Sequence, residues 1–156
     1  MLIPVGAKLY VERCPETQEE KEYMASVSYA SAILSLMYVM VYTRLDIAQA
    51  VGVLSTYMST RGKEHWTDVN RVFRLLHGTT HKVIFYQGRK PESGKKVNVH
   101  GFFYSDWAGD IDGRRSTNEY VSKIFSVVFS WMSRRQSVIS LSTTEAEYIA
   151  ATHACK

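Results

Sequence analysis

The groups in this chain that could bind a metal or grip a phosphate are carboxylates, imidazoles and guanidiniums, and SLSTTEAEYIAA, Ser140 to Ala151, combines two carboxylates with a helix start and an apolar helical face. Ser142 reads as a helix N-cap whose hydroxyl accepts from the first free backbone N–H groups. Glu145, three residues on, completes a capping box and so has a structural task. Ala146, Ile149, Ala150 and His153 recur at helical spacing and mark the buried side, which sets Glu147 at the edge of that face. Glu147 is the carboxylate left for chemistry. The plain alternative is structural, because acidic side chains favour the positive end of a helix dipole.

Basic groups offer a second chemistry. Arg71, Arg74, His77, His81 and Lys82 fall on one helix and its exit, where they could face a phosphate backbone, although a solvated helix face fits the same letters. Arg114 and Arg115 could also touch phosphates, but Asp110 and Asp112 beside them fit a self-neutralised polar loop. His65, His77, His81, His100 and His153 lack the paired spacing of a metal site. Trp66, Trp107 and Trp131 adjoin apolar positions and read as packing residues rather than base-stacking platforms. Cys14 and Cys155 lie at opposite ends, which predicts free thiols in a reducing compartment. There is no Gly-rich phosphate loop and no nucleophile elbow.

The elements that must position these groups follow from periodicity. Residues 1–16 are irregular; Thr17 with Glu20 opens a short charged helix, TQEEKEYMA. Tyr29 to Tyr42 is apolar on nearly all sides, which predicts a helix buried among neighbours. Thr43 with Asp46 caps a third helix, whose stripe is Ile47, Ala50, Val51, Leu54, Tyr57 and Met58, opposite Gln49 and Thr56. Glu64 to His77 is a fourth, with Trp66, Val69, Phe73 and Leu76 on one face and Asp68, Arg71 and Arg74 on another, ended by Gly78. Val83 to Tyr86 is a short β-prone run. QGRKPESGKK is a linker, so the domains divide as 1–86, linker 87–96 and 97–156. Val97 to Tyr104, Glu119 to Phe125 and Val127 to Met132 read as strands, the last two as a hairpin, with a polar loop from Ser105 to Thr117.

Bulk properties bound the class. A chain of 156 residues with 46% hydrophobic residues can build a core. Nineteen Lys and Arg against 15 Asp and Glu permit a polyanion partner without demanding one. The first residues, MLIPVGAKLYVERC, lack a basic n-region and a signal-peptide apolar run. Ile33 to Tyr42 is shorter than the roughly 20 residues of a bilayer span. The expectation is an intracellular setting, cytoplasm or nucleus, with no membrane contact.

STTEAEYIAA, preceded by YSDWAGDIDGRRST and SWMSRRQ, resembles the RNase H region of Copia-type retrotransposon polyproteins. Upstream, CPETQEEKEYM, YASAILSLMYVMVYTRLDIAQAVGVLSTYM and GKEHWTDVNRVFRLLHGT resemble the segment linking the reverse transcriptase to that domain. The resemblance implies an α+β fragment: a helical, thumb-like connection followed by a partial RNase H-like mixed sheet with one helix. It implies an ancestral hydrolysis of RNA in RNA–DNA hybrids, with such a hybrid or other nucleic acid as partner. No Tyr-x-Asp-Asp polymerase signature occurs.

RNase H chemistry needs a carboxylate cluster holding two divalent ions, one activating water and one steadying the leaving oxygen. The family's first ligand, the leading Asp of its DSD triplet, matches Tyr104, which has no carboxylate; the triplet's second Asp is Asp106, placed just past the strand. The later Glu of TEAEY is Glu147. Further ligands would follow the last helix, and the expectation is that truncation at Lys156 removes them and leaves a sheet edge or face uncovered. Leu45, Leu34 and Glu119 replace family Pro, Gly and Gly, and Phe125 with Ser126 replaces turn glycines, which costs turn geometry because glycine alone enters positive φ freely.

The resulting expectation is an incomplete nuclease with no cofactor. If residual activity exists it uses Asp106 and Glu147 with Mg2+ or Mn2+, and Arg71, Arg74, Arg114 and Arg115 as nucleic-acid contacts. A third class is an interaction protein: stand-alone pieces similar to this one have been labelled secreted RxLR-type effectors, although the chain has no Arg-x-Leu-Arg.

Overall fold

The structure is a computed structural model and describes residues 17–85, 98–125 and 127–155. The expectations for residues 1–16, including Cys14, for the 87–96 linker and for Tyr86 and Ser126 lie outside these. The chain divides into two compact units, Met1–His81 and Lys82–Lys156.

In the first unit, Thr17 Oγ1 accepts from the Glu20 N–H (3.3 Å) and starts α1, Gln18–Ser26, which buries only Met24. Helix α2 is Tyr29–Tyr42, α3 is Ala48–Ser55 after a 3-10 turn at Leu45–Ile47, and α4 is Lys63–Gly78. Their core joins Met24, Tyr29, Ile33, Leu36, Ile47, Ala50, Val51, Leu54, Tyr57, Val69 and Val72. The stripe predicted for the third helix is therefore the buried one.

Three expectations change here. Helix α2 buries one face only, Tyr29, Ile33 and Leu36, while Leu34, Tyr38, Val41 and Tyr42 are exposed. Three packed helices cover one stripe, and an all-round apolar composition does not create neighbours. Thr43 does not cap α3: its hydroxyl donates back to the Val39 carbonyl, and Asp46 is taken by the Arg44 guanidinium at 2.8 and 2.7 Å. That guanidinium holds the Asp46 carboxyl below its ordinary range. In α4 the buried face is His65, Asp68, Val69 and Val72, one position from the predicted stripe, leaving Phe73 exposed. The shift follows His65, whose Nδ1 accepts the Gly62 N–H at 2.9 Å while its ring stacks on Tyr57. Asp68 is carried inward with it and is neutralised by Arg71. Tyr29 sits in this core with its hydroxyl on the Leu54 carbonyl (2.9 Å). Burial, then the Asp68 charge, pushes its phenol above the ordinary value of 10.0.

Val83, Ile84 and Phe85 are exposed and form no strand, since none of the described residues pairs with them. Among the described residues no single helix is long and apolar enough to cross a membrane.

The second unit is an antiparallel sheet in the order β1 (Val99–Asp106), β2 (Thr117–Ile124), β3 (Val127–Arg135), followed by α5 (Thr143–Ala154), which packs on β1 and β2. The pairing Ile124↔Val127 gives the predicted hairpin with a two-residue turn, in which Phe125 takes φ 48. A bulky residue thus occupies the conformation that favours glycine. The expected mixed sheet is wholly antiparallel among the described residues. A parallel pair needs a crossover between its strands, and the only helix described in this unit, α5, follows all three.

Candidate functional site

Asp106 is the last residue of β1, paired with Thr117, rather than a residue beyond the strand. The strand is prolonged because Ser105, next to it, is buried and hydrogen-bonded from the other face. Pleating then fixes which groups share a face. Ser105 and Asn118 face α5, because Gln136 Nε2 donates to both and to the Ala146 carbonyl of that helix. Tyr104 and Asp106 alternate onto the opposite face.

Across that opposite face the register makes rows: Asp106, Thr117, Arg135; then Tyr104, Glu119, Ser133; then Phe102, Val121, Trp131. Glu119 is thus the carboxylate set directly opposite Tyr104, and the Ser133 hydroxyl donates to it at 3.0 Å. The Asp106 carboxylate lies over Gly109, where a Cβ would come within 1.7 Å of Oδ2. Glycine at 109 is what lets this carboxylate fold back over its own loop.

The loop after β1 is firmly built. The Ala108 N–H donates to Ser116 Oγ (3.1 Å), the Asp110 N–H to the Arg115 carbonyl (3.1 Å) and the Trp107 indole to the Ser140 carbonyl (3.1 Å). Asp110 pairs with Arg135 at 2.8 Å, across the loop, so for Asp110 the charge partner comes from β3 rather than from Arg114 or Arg115. Arg114 is exposed with φ 52, Arg115 is half-buried, Arg71 is tied to Asp68, and Arg74 donates to the Asn70 carbonyl (3.3 Å). The four arginines therefore fall two in each unit.

On α5, Ser142 accepts from the Glu145 N–H (3.2 Å), as the sequence predicts, while Glu145 Oε2 reaches back one residue further, to the Leu141 N–H (2.7 Å). Ala146 and Ala150 are buried, and Glu147 is exposed. The structure therefore sets Glu147 on a helix over one face of the sheet and Asp106 on the other. Among the described residues no three His, Cys, Asp or Glu are grouped to hold a metal ion. Two carboxylates on opposite faces of the sheet do not fit a pair of divalent ions.

What the structure does gather, and sequence periodicity misses, is a buried polar hub. Gln136 Oε1 accepts from Ser140 Oγ (2.6 Å), Gln136 Nε2 donates to Asn118 Oδ1 (2.5 Å), and Asn118 Nδ2 contacts His153 Nδ1 (3.2 Å). Gln136 and Asn118 are each 1% exposed. The hub locks strand exit, sheet and α5 together. A lone glutamine after two arginines reads as solvent-facing, so only its place in SWMSRRQ could have signalled it.

Comparison with known proteins gives the relationship. The chain is 47% identical over 149 residues to the retrovirus-related Pol polyprotein from transposon TNT 1-94 of Nicotiana tabacum, which spans 96% of this chain and 11% of that protein. It is 38% identical over 120 residues to the Pol polyprotein from transposon RE2 of Arabidopsis thaliana, 77% of this chain and 8% of that one. The chain is thus homologous to a short stretch of the retrovirus-related Pol polyproteins of plant transposons. It spans about a tenth of the length of these polyproteins. It is also 42% identical over 132 residues to a "Secreted RxLR effector protein 161" of Plasmopara viticola, covering 84% of this chain and 89% of that protein. No family model and no solved structure matches it.

Proposed function

We propose that this chain corresponds to the connection segment and the start of the RNase H domain of a Copia-type element, and that it does not itself hydrolyse RNA. The reading is supported by an antiparallel β1–β2–β3 meander whose next element, α5, carries the STTEAEY motif and packs on β1 and β2. The single observation that carries the loss of activity is Tyr104. A phenol ring stands where the family places its first metal-binding carboxylate, and a neutral phenol does not replace the charge that holds a hard divalent ion. Glu119 opposite does not restore the family set, because its carboxylate is already engaged by the Ser133 hydroxyl.

Any residual grip on a hybrid rests on Arg71, Arg74, Arg114 and Arg115, of which Arg71 is already charge-paired. The test is incubation of a labelled RNA–DNA hybrid with the full chain and Mg2+ or Mn2+, beside Glu147→Gln. The expected result is no cleavage by either. Cleavage by the parent that Glu147→Gln abolishes overturns the reading.

A second reading is favoured by the effector-named relative, which this chain matches over 89% of its length. On that reading the folded surface serves as a stand-alone binding module. Full retention of both units' fold in the isolated chain, with no hybrid binding in a salt titration, separates it from the first.

A further inference from the structure

Among the described residues no strand pairs with the outer edge of β1, and β3 forms the other edge of the sheet. The two edges differ. On the β3 side the register shifts at Ser122/Lys123, leaving Phe129 bulged, and the strand ends in Arg134 and Arg135. Bulges and charges of this kind discourage edge-to-edge pairing. β1, VHGFFYSD, has neither bulge nor lysine nor proline, and Val99, Phe102, Phe103 and Tyr104 are 59%, 61%, 48% and 56% exposed.

We propose that β1 is a homodimerisation edge and that a second copy of this chain is its occupant, paired antiparallel about Phe103. The argument is complementarity in that one register. With Phe103 facing Phe103 of the second copy, Phe102 meets Tyr104, Gly101 meets Ser105 and His100 meets Asp106, each twice by symmetry. The aromatic pairs fall on the face away from α5, beside Val121 and Trp131, and extend the apolar rows already there. The polar ends match in charge. His100 stands next to Lys123 on β2, so a basic strand end meets the Asp106 carboxylate of the second copy. Lys123, whose Nζ lies 5.1 Å from the Phe102 ring centroid, is held close to this seam. Moving the register by one residue would put Asp106 against Val99 or Gly101, with no basic partner, and turn Phe102 away from Tyr104. Pairing two β1 edges leaves only the guarded β3 edges outside, so the assembly closes at two chains.

Light scattering across a concentration series tests this on the full chain: the expected mass rises from 17.8 kDa to twice that value and stops there. His100→Glu sets a carboxylate against Asp106 at both ends and is expected to weaken the dimer by at least about tenfold. Register is read independently in a Cys14→Ser/Cys155→Ser background. Phe103→Cys is expected to cross-link the two copies on oxidation, and His100→Cys to remain uncross-linked. A monomer at every concentration, an open-ended series of larger species, a dimer indifferent to His100→Glu, or equal cross-linking at 100 and 103 overturns the proposal.

Discussion

Gln136→Leu removes the hub of the second unit while keeping nearly its volume, so the change isolates hydrogen bonding from cavity formation. In the parent the amide donates to Ser105 Oγ, Asn118 Oδ1 and the Ala146 carbonyl, and accepts from Ser140 Oγ. After the change the Ala146 carbonyl keeps its intrahelical bond. The Asn118 carbonyl and the two serine hydroxyls lose a partner in a site from which water is excluded. At about 1–3 kcal/mol for each buried group left unsatisfied, and with the serines able to rotate, the loss is about 3–5 kcal/mol. A unit of this size holds roughly 4–11 kcal/mol in total, so the substitution takes at least about a quarter of its margin. The assay is urea unfolding followed by tryptophan fluorescence in a Trp66→Phe background, where Trp107 and Trp131 report the second unit. A midpoint shift corresponding to less than about 1 kcal/mol would refute the claim that this polar hub, rather than apolar burial, holds α5 on the sheet.

Other perturbations read other links. Phe125→Asn relieves a left-handed φ of 48 and should raise the melting temperature, by about 1 kcal/mol of stability; an unchanged or lower value contradicts the assigned turn. Gly109→Ala drives a Cβ into the Asp106 carboxylate and should cost about 1–3 kcal/mol. Adding Asp106→Ala should recover part of that loss, and strict additivity of the two changes would argue against the contact. Tyr29 has its folded pKa raised, so its contribution is whole below the ordinary value of 10.0 and is lost as pH rises beyond it, when the unfolded chain deprotonates first. Stability of the first unit should therefore fall steeply above pH 10, and Tyr29→Phe should flatten that fall at a cost of about 1 kcal/mol at neutral pH.

The legible part of this fold is the part written in period. The α3 stripe from Ile47 to Tyr57 and the Ser142 cap follow directly from letters three or four apart, and the β2–β3 hairpin from two β-prone runs a short turn apart. What was hidden depends on partners distant in sequence. The apolar run of α2 exceeds what its neighbours cover, so Leu34, Tyr38 and Val41 remain exposed, and no property of the run itself reveals how many helices will meet it. Asp68 goes inward because His65 caps its helix and Arg71 neutralises it, which a solvated-face rule assigns the wrong way. At the candidate site, Tyr104, Asp106 and Glu147 are all visible as letters. Only strand parity together with the Ser105–Gln136–Ala146 linkage separates the first two from the third.

The most direct test of the central claim is hydrolysis of a labelled RNA–DNA hybrid by the full chain in Mg2+ and in Mn2+, run beside Glu147→Gln under conditions where both are folded. The account predicts intact RNA in every lane. Cleavage by the parent chain that disappears with Glu147→Gln would contradict it, and would mean that the carboxylates separated here by the sheet are brought together in the acting protein.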